Sequence, residues 1–450
     1  MLISAYDSIF AREVPIRRKV EERLAAWRQS ANRKPLIVMG ARQVGKTYSL
    51  LRFGEASYAN VVHVDFAENE RMAAIFEGSI DPRRIVALLS ERMGVRIVPG
   101  ETLVVFDEVQ RCPEAIASLK YFCEQAPDYH VVAAGSLLGI TVRQRNALFP
   151  VGKVDMLMMR PLDFEEYLWA LGRDNLAALV REACAGMERF PLHDDAMELY
   201  YRYLLVGGMP EAVSRWVESR QMEDVRSVQR AVSTGYVVDI AQYTAGLDAA
   251  MVLSVWQSLP RQLAKENTKF QYARIRTGAR SKDYAPCIEW LRDVGLVETV
   301  AHITDAARPL SAFAEPQNFK LYLLDTGLLS ALYNATMADV MPAQDKAATF
   351  RGALAENYVA QQLAAAGVEA YYWGTASKSE VEFVYESKSG AVVPLEVKSG
   401  KNVGAKSARA FARKYEVPCM VRVSAKNFGS EGGVMGVPLY AAHALDELSL

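Results

Sequence analysis

The stretch GARQVGKT, residues 40–47, lies between the short apolar run PLIVM (35–39) and a helical pattern. Two glycines five positions apart, followed at once by a lysine and a threonine, constrain backbone and ligand together. The glycines let the chain bend so that successive N–H groups face an anion. The helix start adds unpaired N–H groups and the positive end of its dipole. Gly40, Ala41, Arg42, Gln43, Val44, Gly45, Lys46, Thr47 and Tyr48 are therefore expected to wrap the phosphates of ATP. Lys46 is placed to reach the β- and γ-phosphates and Thr47 to ligate Mg2+. A chance glycine-rich turn is the alternative, and the strand–loop–helix context argues against it.

Such a site needs an acid at the end of a neighbouring strand, and TLVVFDEVQ (102–110) supplies one. Asp107 is expected to hold Mg2+ and Glu108 to polarise the attacking water. By itself, Asp-Glu after a strand is equally well a helix cap with a solvated neighbour. Ser136, ending the run HVVAAGS (130–136), is a further catalytic candidate, with a turn serine as the competing reading. Asp65, closing NVVHVDF (60–66), is a weaker acid candidate, and Arg143, Arg145 and Arg160 are candidate arginine fingers.

The 450 residues predict several domains, at about 100–200 residues each. Nearly continuous apolar runs alternate with helical patterns up to residue 160, which indicates a parallel sheet covered on both faces. Residues 161–255 are helix-dominated, interrupted by VGGMP (206–210). Residues 256–345 read as short helices followed by a hairpin or wing ending in KLYLLD, and residues 346–450 as an α/β unit of their own. The net charge of −1 announces neither nucleic acid nor membrane. The five cysteines have no metal-ligand or disulfide-framework spacing. The N-terminus lacks an apolar core of signal-peptide length, and no apolar run is long enough to span a bilayer, so a cytoplasmic location without membrane contact is expected. The histidines, His63 among them, show no ligand spacing and are expected to be structural.

A second constellation lies downstream. In PLEVKSGK, Glu396 and Lys398 are two apart on a strand and share a face. In SEVEFV, Glu380 and Glu382 do the same on the preceding strand, and Glu356 sits in the helical stretch LAENYVAQQL. Glu356, Glu382 and Glu396 as ligands of Mg2+, with Lys398 stabilising or helping to generate hydroxide, suit metal-dependent nuclease chemistry. For Glu-x-Lys alone, a solvated strand face with surface ion pairs is the commoner origin.

Local charge also favours phosphate. Residues 261–292 carry Lys/Arg at 261, 265, 269, 274, 276, 280, 282 and 292, with Tyr272, Tyr284 and Trp290 interleaved. Residues 397–414 carry six basic residues and no acid. DNA is the expected partner of such stretches, and a solvated face the plain alternative.

The segments GARQVGKT, FDEVQ, AAGSLLG, PLDFEEYL, VGGMP and KLYLLDTGLL, in this order, resemble a family of prokaryotic AAA-like P-loop ATPases with a C-terminal domain of unassigned function. The resemblance covers almost the whole chain. It implies an α/β protein: a P-loop NTPase parallel sheet (1–160), a helical lid (161–255), a winged-helix-like unit (256–345) and a small restriction-endonuclease-like domain (346–450). With the two constellations, the leading expectation is a Mg2+-dependent ATPase coupled to a DNA-binding, nuclease-like module. A nucleotide-dependent switch or transcription regulator, with an inactive nuclease-like domain that recognises a partner, is the alternative. Ser136 stands where many relatives have Asn, and Glu382 where the family usually has Asp, one methylene shorter.

Overall fold

The computed structural model describes residues 16–136, 138–139, 149–244, 246–264, 269–341, 348–375, 379–400, 406–417 and 419–448. Arg143, Arg145, Lys265 and Lys401 lie outside these residues. The chain divides into two compact units.

The first unit comprises Arg17–Arg160 together with Asp293–Gly295. After helix α1 (Val20–Gln29) it alternates strand and helix: β1 (Leu36–Met39), α2 (Lys46–Ser57), β2 (Asn60–Asp65), α3 (Pro82–Met93), β3 (Thr102–Asp107), α4 (Pro113–Gln125), β4 (His130–Gly135), β5 (Asp155–Met158). The five strands form one parallel sheet in the order β2-β3-β4-β1-β5. β3 and β4 are buried along their whole length, which is why they read as unbroken apolar runs. The interior is filled by Val104, Phe106, Leu119, Phe122 and Val131, with Phe66 and Phe76 edge-on to one another. Asp81 starts α3 by accepting from the N–H groups of Arg83 (2.9 Å) and Arg84 (3.0 Å), with Pro82 at the first helical position. The order matters for function. β1, β4 and β3 lie side by side, so the phosphate-type loop, Ser136 and Asp107 all leave the same edge of one parallel sheet.

The second unit contains Pro161–Arg292 and Leu296–Leu450. It begins with helices α5 (Phe164–Ala170), α6 (Asp174–Gly186), α7 (His193–Val206), α8 (Pro210–Ser219), α9 (Met222–Gln242), α10 (Ala249–Leu263) and α11 (Ser281–Asp293). The sequence PLDFEE is a capping box: Asp163 accepts from Glu166 N–H at 2.9 Å, and Glu166 accepts from Asp163 N–H at 3.1 Å. The elements β6 (Val297–Ile303), β7 (Ala314–Leu323), α12 (Thr326–Leu332), α13 (Met337–Val340) and α14 (Ala348–Ala365) follow. The chain closes with β8 (Ala370–Gly374), β9 (Glu380–Glu386), β10 (Val392–Val397), α15 (Lys406–Tyr415), β11 (Met420–Ser424), β12 (Gly429–Glu431) and β13 (Val434–Pro438).

These strands form a single mixed sheet, β12-β13-β11-β10-β9-β8-β6-β7. The β6–β7 hairpin, which the sequence places in a middle unit, is bonded into it. β6 pairs in parallel with β8 through Ala301↔Tyr371 and His302↔Tyr372. The hairpin therefore lends its side chains to the face that carries Glu380 and Glu382.

Candidate functional site

The loop after β1 is fixed from two sides. A side chain on Gly40 would meet the Met159 carbonyl oxygen at 2.1 Å, and the residue adopts φ +147°, so only glycine fits. Arg18, almost fully buried, donates to the carbonyls of Val44 (3.0 Å) and Arg160 (2.7 Å) and pins the far end of the loop. Ala41 and Val44 are buried, whereas Arg42 and Gln43 are exposed; Tyr48 is half-buried in the first turn of α2. Lys46 Nζ donates to two neutral acceptors, the carbonyls of Gly40 (3.0 Å) and Ala41 (2.8 Å). Burial pushes its ammonium down to about 8; the pull of Glu108 and Asp107 in the other direction does not make up the loss, and Arg42 adds to it.

Thr47 donates its hydroxyl to Asp107 Oδ2 at 2.5 Å. His63 brings Nε2 to 3.3 Å from the same oxygen. Burial of Asp107 works against its charge, but the hydrogen bonds from His63 and Thr47 prevail and hold the carboxyl below the usual range. Glu108 adopts the left-handed conformation, φ +47°, uncommon for a residue with a side chain. Its carboxylate accepts from Gln110 Nε2 at 2.5 Å. Ser136 follows β4 and is half-buried. Asp65 sits beside Asp107 in the β2–β3 register, and its Oδ1 accepts from the N–H of Ala67 and Glu68. Burial pushes the Arg160 guanidinium down to about 10. Lys46, Thr47, Asp107 and Glu108, four of the residues singled out from sequence, are thus brought to one edge of one sheet.

In the second unit the acids come from three elements, Glu356 on α14, Glu380 and Glu382 on β9, and Glu396 on β10, and the lysines divide them. Among the described residues no three of these carboxylates bring ligand atoms within 4.8 Å of one another, so the expected ligand set Glu356, Glu382 and Glu396 is not gathered at one point. The antiparallel register pairs Leu395 with Phe383, so the next residues, Glu396 and Glu382, come side by side. Lys398 Nζ lies 2.9 Å from Glu382 Oε1 and 3.2 Å from Glu396 Oε1. Sequence reasoning missed a second lysine. Lys320 on β7 is wholly buried, with Nζ 2.5 Å from Glu380 Oε1 and 3.8 Å from Glu356 Oε2. Tyr322, two residues on and so on the same face, donates to Glu356 Oε2 at 3.2 Å. The signal was present in KLYLLD as a Lys-x-Tyr on an otherwise apolar strand, but nothing local told which sheet that strand would join.

Burial lowers Lys320, yet Glu356, Glu380 and Glu382 outweigh it and the ammonium lies above its ordinary value. Lys398 behaves alike between Glu382 and Glu396. Burial raises the carboxyls of Glu356 and Glu396, although Lys320 and Lys398 respectively oppose it. Four carboxylates face two ammonium groups, and the Oε2 atoms of Glu382 and Glu396 are buried without a hydrogen-bond partner. Those orphaned acceptors fit a cation.

Two of the segments quoted above turn out to hold the fold. Asp325 is fully buried and accepts from Gly208 N–H (2.6 Å), Leu328 N–H (2.8 Å) and Gln361 Nε2 (3.2 Å). Burial pushes its carboxyl up to about 6. A side chain on Gly327 would meet Gly207 Cα at 2.5 Å, so VGGMP and LLDTGLL are the two halves of one close backbone contact. Among the basic residues, Arg276, Arg280, Lys282 and Arg292 are exposed. Tyr284 and Trp290 are buried, and Trp290 Nε1 donates to the Tyr243 carbonyl at 3.1 Å, so these rings belong to the core. The five cysteines are unpaired, with Cys112, Cys184 and Cys287 buried. Among the described residues, no helix is long and apolar enough to cross a membrane.

Residues 32–168 match the AAA domain family AAA_14; residues 197–339 and 351–441 match two domains of unknown function, DUF8612 and DUF4143. No curated protein matches the chain. Among solved structures, the Walker-type ATPase PABY2304 of Pyrococcus abyssi is 16% identical with a TM-score of 0.46, covering 72% of this chain and 97% of that one. The Aeropyrum pernix ORC2 protein, in its ADPNP-ADP complexes, is 14% identical with a TM-score of 0.34, covering 72% of this chain and 94% of its own. The glycine-bent loop and the adjacent acid-bearing strand lie within the stretch that matches the AAA domain model; the N-terminal third has a P-loop NTPase-type parallel sheet and is followed by a domain built on a mixed sheet.

Proposed function

We propose that the protein binds ATP with Mg2+ at Lys46 and Thr47 and hydrolyses it. The carrying observation is the convergence of Lys46, Thr47, Asp107 and Glu108 on one sheet edge, with Thr47 already hydrogen-bonded to Asp107. Lys46 exchanges two neutral carbonyls for phosphate oxygens, a stronger, charge-assisted bond. Thr47 and Asp107 hold Mg2+, which when bound offsets phosphate charge. Glu108, steadied by Gln110, accepts a proton from the attacking water. The test is Glu108→Gln. It should retain ATP binding in calorimetry and lose turnover by about a hundredfold or more, within the usual range of general-base contributions. Turnover at the wild-type rate would place the base elsewhere, with Asp65 the next residue to replace.

For the second unit, the proposal is a divalent-cation site of nuclease type that binds a DNA phosphodiester. The orphaned oxygens of Glu382 and Glu396 beside Lys398 support it. A specific observation favours a second reading, a nucleotide-dependent switch whose nuclease-like domain does not cut. Each of the four glutamates already has a lysine nitrogen within 4 Å. Nicking of supercoiled plasmid separates the two. Cleavage should appear first with Mn2+, which tolerates irregular ligands better than Mg2+, and Lys398→Ala should remove it. Intact plasmid with either metal leaves the switch.

A further inference from the structure

His63 is unexplained by phosphate binding, yet it faces the metal end of the ATP site. His63 and Asp65 are two residues apart on β2 and share a face. The parallel register sets Asp65 against Asp107 of β3. One donor atom each from His63, Asp65 and Asp107 lies within 4.8 Å of the others. Asp65 is oriented by the N–H groups of Ala67 and Glu68 on Oδ1. Asp107 is almost wholly buried and His63 is 13% exposed, so the cluster lies at the end of the sheet rather than on open surface.

The spacing carries chemical information. Zinc binds imidazole nitrogen and carboxylate oxygen at about 2.0–2.2 Å in tetrahedral sites, which sets neighbouring ligand atoms roughly 3.3–3.5 Å apart. His63 Nε2 and Asp107 Oδ2 are 3.3 Å apart. Mg2+ prefers oxygen ligands and near-octahedral geometry, and an imidazole is a poor choice for it. One imidazole and two carboxylates suit a first-row transition ion.

We propose that, before nucleotide arrives, His63, Asp65 and Asp107 bind one Zn2+-class divalent ion in preference to Mg2+. The inference rests on the ATP-site reading, because Asp107 also serves Thr47 and the nucleotide's metal. An ion held here takes Asp107 away from Thr47 and competes with loading of Mg2+–ATP. The cation site of the second unit is built from carboxylates and lysines, so imidazole ligation tells the two apart.

The experiment uses the full chain without nucleotide. Zn2+ affinity is measured by competition with a chromogenic chelator in a tenfold excess of Mg2+, and zinc-edge X-ray absorption reads the ligand type. Wild type should bind one Zn2+ with an imidazole in its shell. His63→Gln should lose the imidazole signal and weaken that binding at least tenfold. Asp65→Asn should weaken it by a similar factor while keeping the imidazole signal, which guards against a misfolded His63 variant. Absence of imidazole scattering in wild type overturns the proposal, and so does Zn2+ affinity unchanged in either variant. ATP affinity on the same samples reports separately on the nucleotide reading.

Discussion

The two candidate sites each contain a buried lysine, and the lysines are held in opposite ways. Lys46 gives its hydrogen bonds to two backbone carbonyls, and burial pushes it down to about 8. Lys320 is as deeply buried, but Glu356, Glu380 and Glu382 outweigh the cost of burial and keep it above its ordinary value. The first is a positive charge held against neutral groups, which a phosphate can capture. The second is already captured, and its surroundings hold more negative charge than it cancels. Lys46 is short of a charged hydrogen-bond partner, whereas the carboxylates around Lys320 are short of a cation. What a buried lysine does is therefore set by whether carboxylates or carbonyls meet its nitrogen.

Neutralising each lysine gives the largest expected contrast. Lys320→Met leaves Glu356 and Glu380 without their buried counter-charge, and removing one partner of such a pair costs about 3–5 kcal/mol. Lys46→Met removes a desolvated charge and two hydrogen bonds to carbonyls. The stability of the nucleotide-free protein should then stay within about 1 kcal/mol of wild type, since a typical net hydrogen bond contributes about that much. ATP binding, however, should fall by at least tenfold, the equivalent of roughly 1.5–3 kcal/mol for hydrogen bonds to a charged group. Chemical denaturation and calorimetry check both. Equal losses of stability in the two variants would mean that carboxylates and carbonyls hold a buried lysine alike.

Alkaline titration separates the two lysines further. Below about 8, nucleotide-free Lys46 carries its proton; above that, it must take one up to meet the phosphates. ATP affinity should decline up to about tenfold per pH unit beyond 8, with proton uptake visible as buffer-dependent heat. Lys320 and Lys398 run the other way. Their raised values mean that their stabilising contribution is complete below the ordinary 10.5 and lost only as pH rises through the higher folded values. Between pH 8 and 10, ATP affinity should fall while the lysine–carboxylate cluster stays intact, read as unchanged denaturation of Lys398→Ala relative to wild type across that interval.

The phosphate loop and its acid were legible because their signals are local. Gly40, Gly45, Lys46 and Thr47 lie within eight residues, and Asp107 follows an unbroken apolar strand. Glu382, Glu396 and Lys398 were legible for the same reason, as residues at spacing two on, or one residue beyond, consecutive strands. Lys320 was not. It reaches the cluster because β6 pairs with β8 across about seventy residues of chain, a non-local choice that no period in the sequence encodes. His63 was hidden likewise, since its relation to Asp107 is a matter of register between β2 and β3. Asp325 illustrates the opposite hazard. Its segment is one of those that carry the family resemblance, yet the task of its carboxylate is to tie loop backbone together in the core.

The smallest expected effect tests how finely the cluster is balanced. Tyr322 donates to Glu356 Oε2 at 3.2 Å, and that hydrogen bond lowers a carboxyl which burial, first, and then Glu382 and Glu380 raise. Tyr322→Phe keeps the ring, which is tilted against Phe383, and removes only the donor. The loss should be about 1 kcal/mol at neutral pH, the size of one net hydrogen bond. Its pH dependence has a definite sign. A carboxyl raised by folding holds its proton to higher pH in the folded chain than in the unfolded one, so acidification through the raised value stabilises it. A neutral Glu356 has less need of the tyrosine donor. The difference between wild type and Tyr322→Phe should therefore shrink as pH falls toward the ordinary carboxyl range, and denaturation midpoints at pH 7 and pH 5 measure it. A difference that grows on acidification would mean that Glu356 stays ionised, and that Lys320 alone, rather than lysine and tyrosine together, holds its charge.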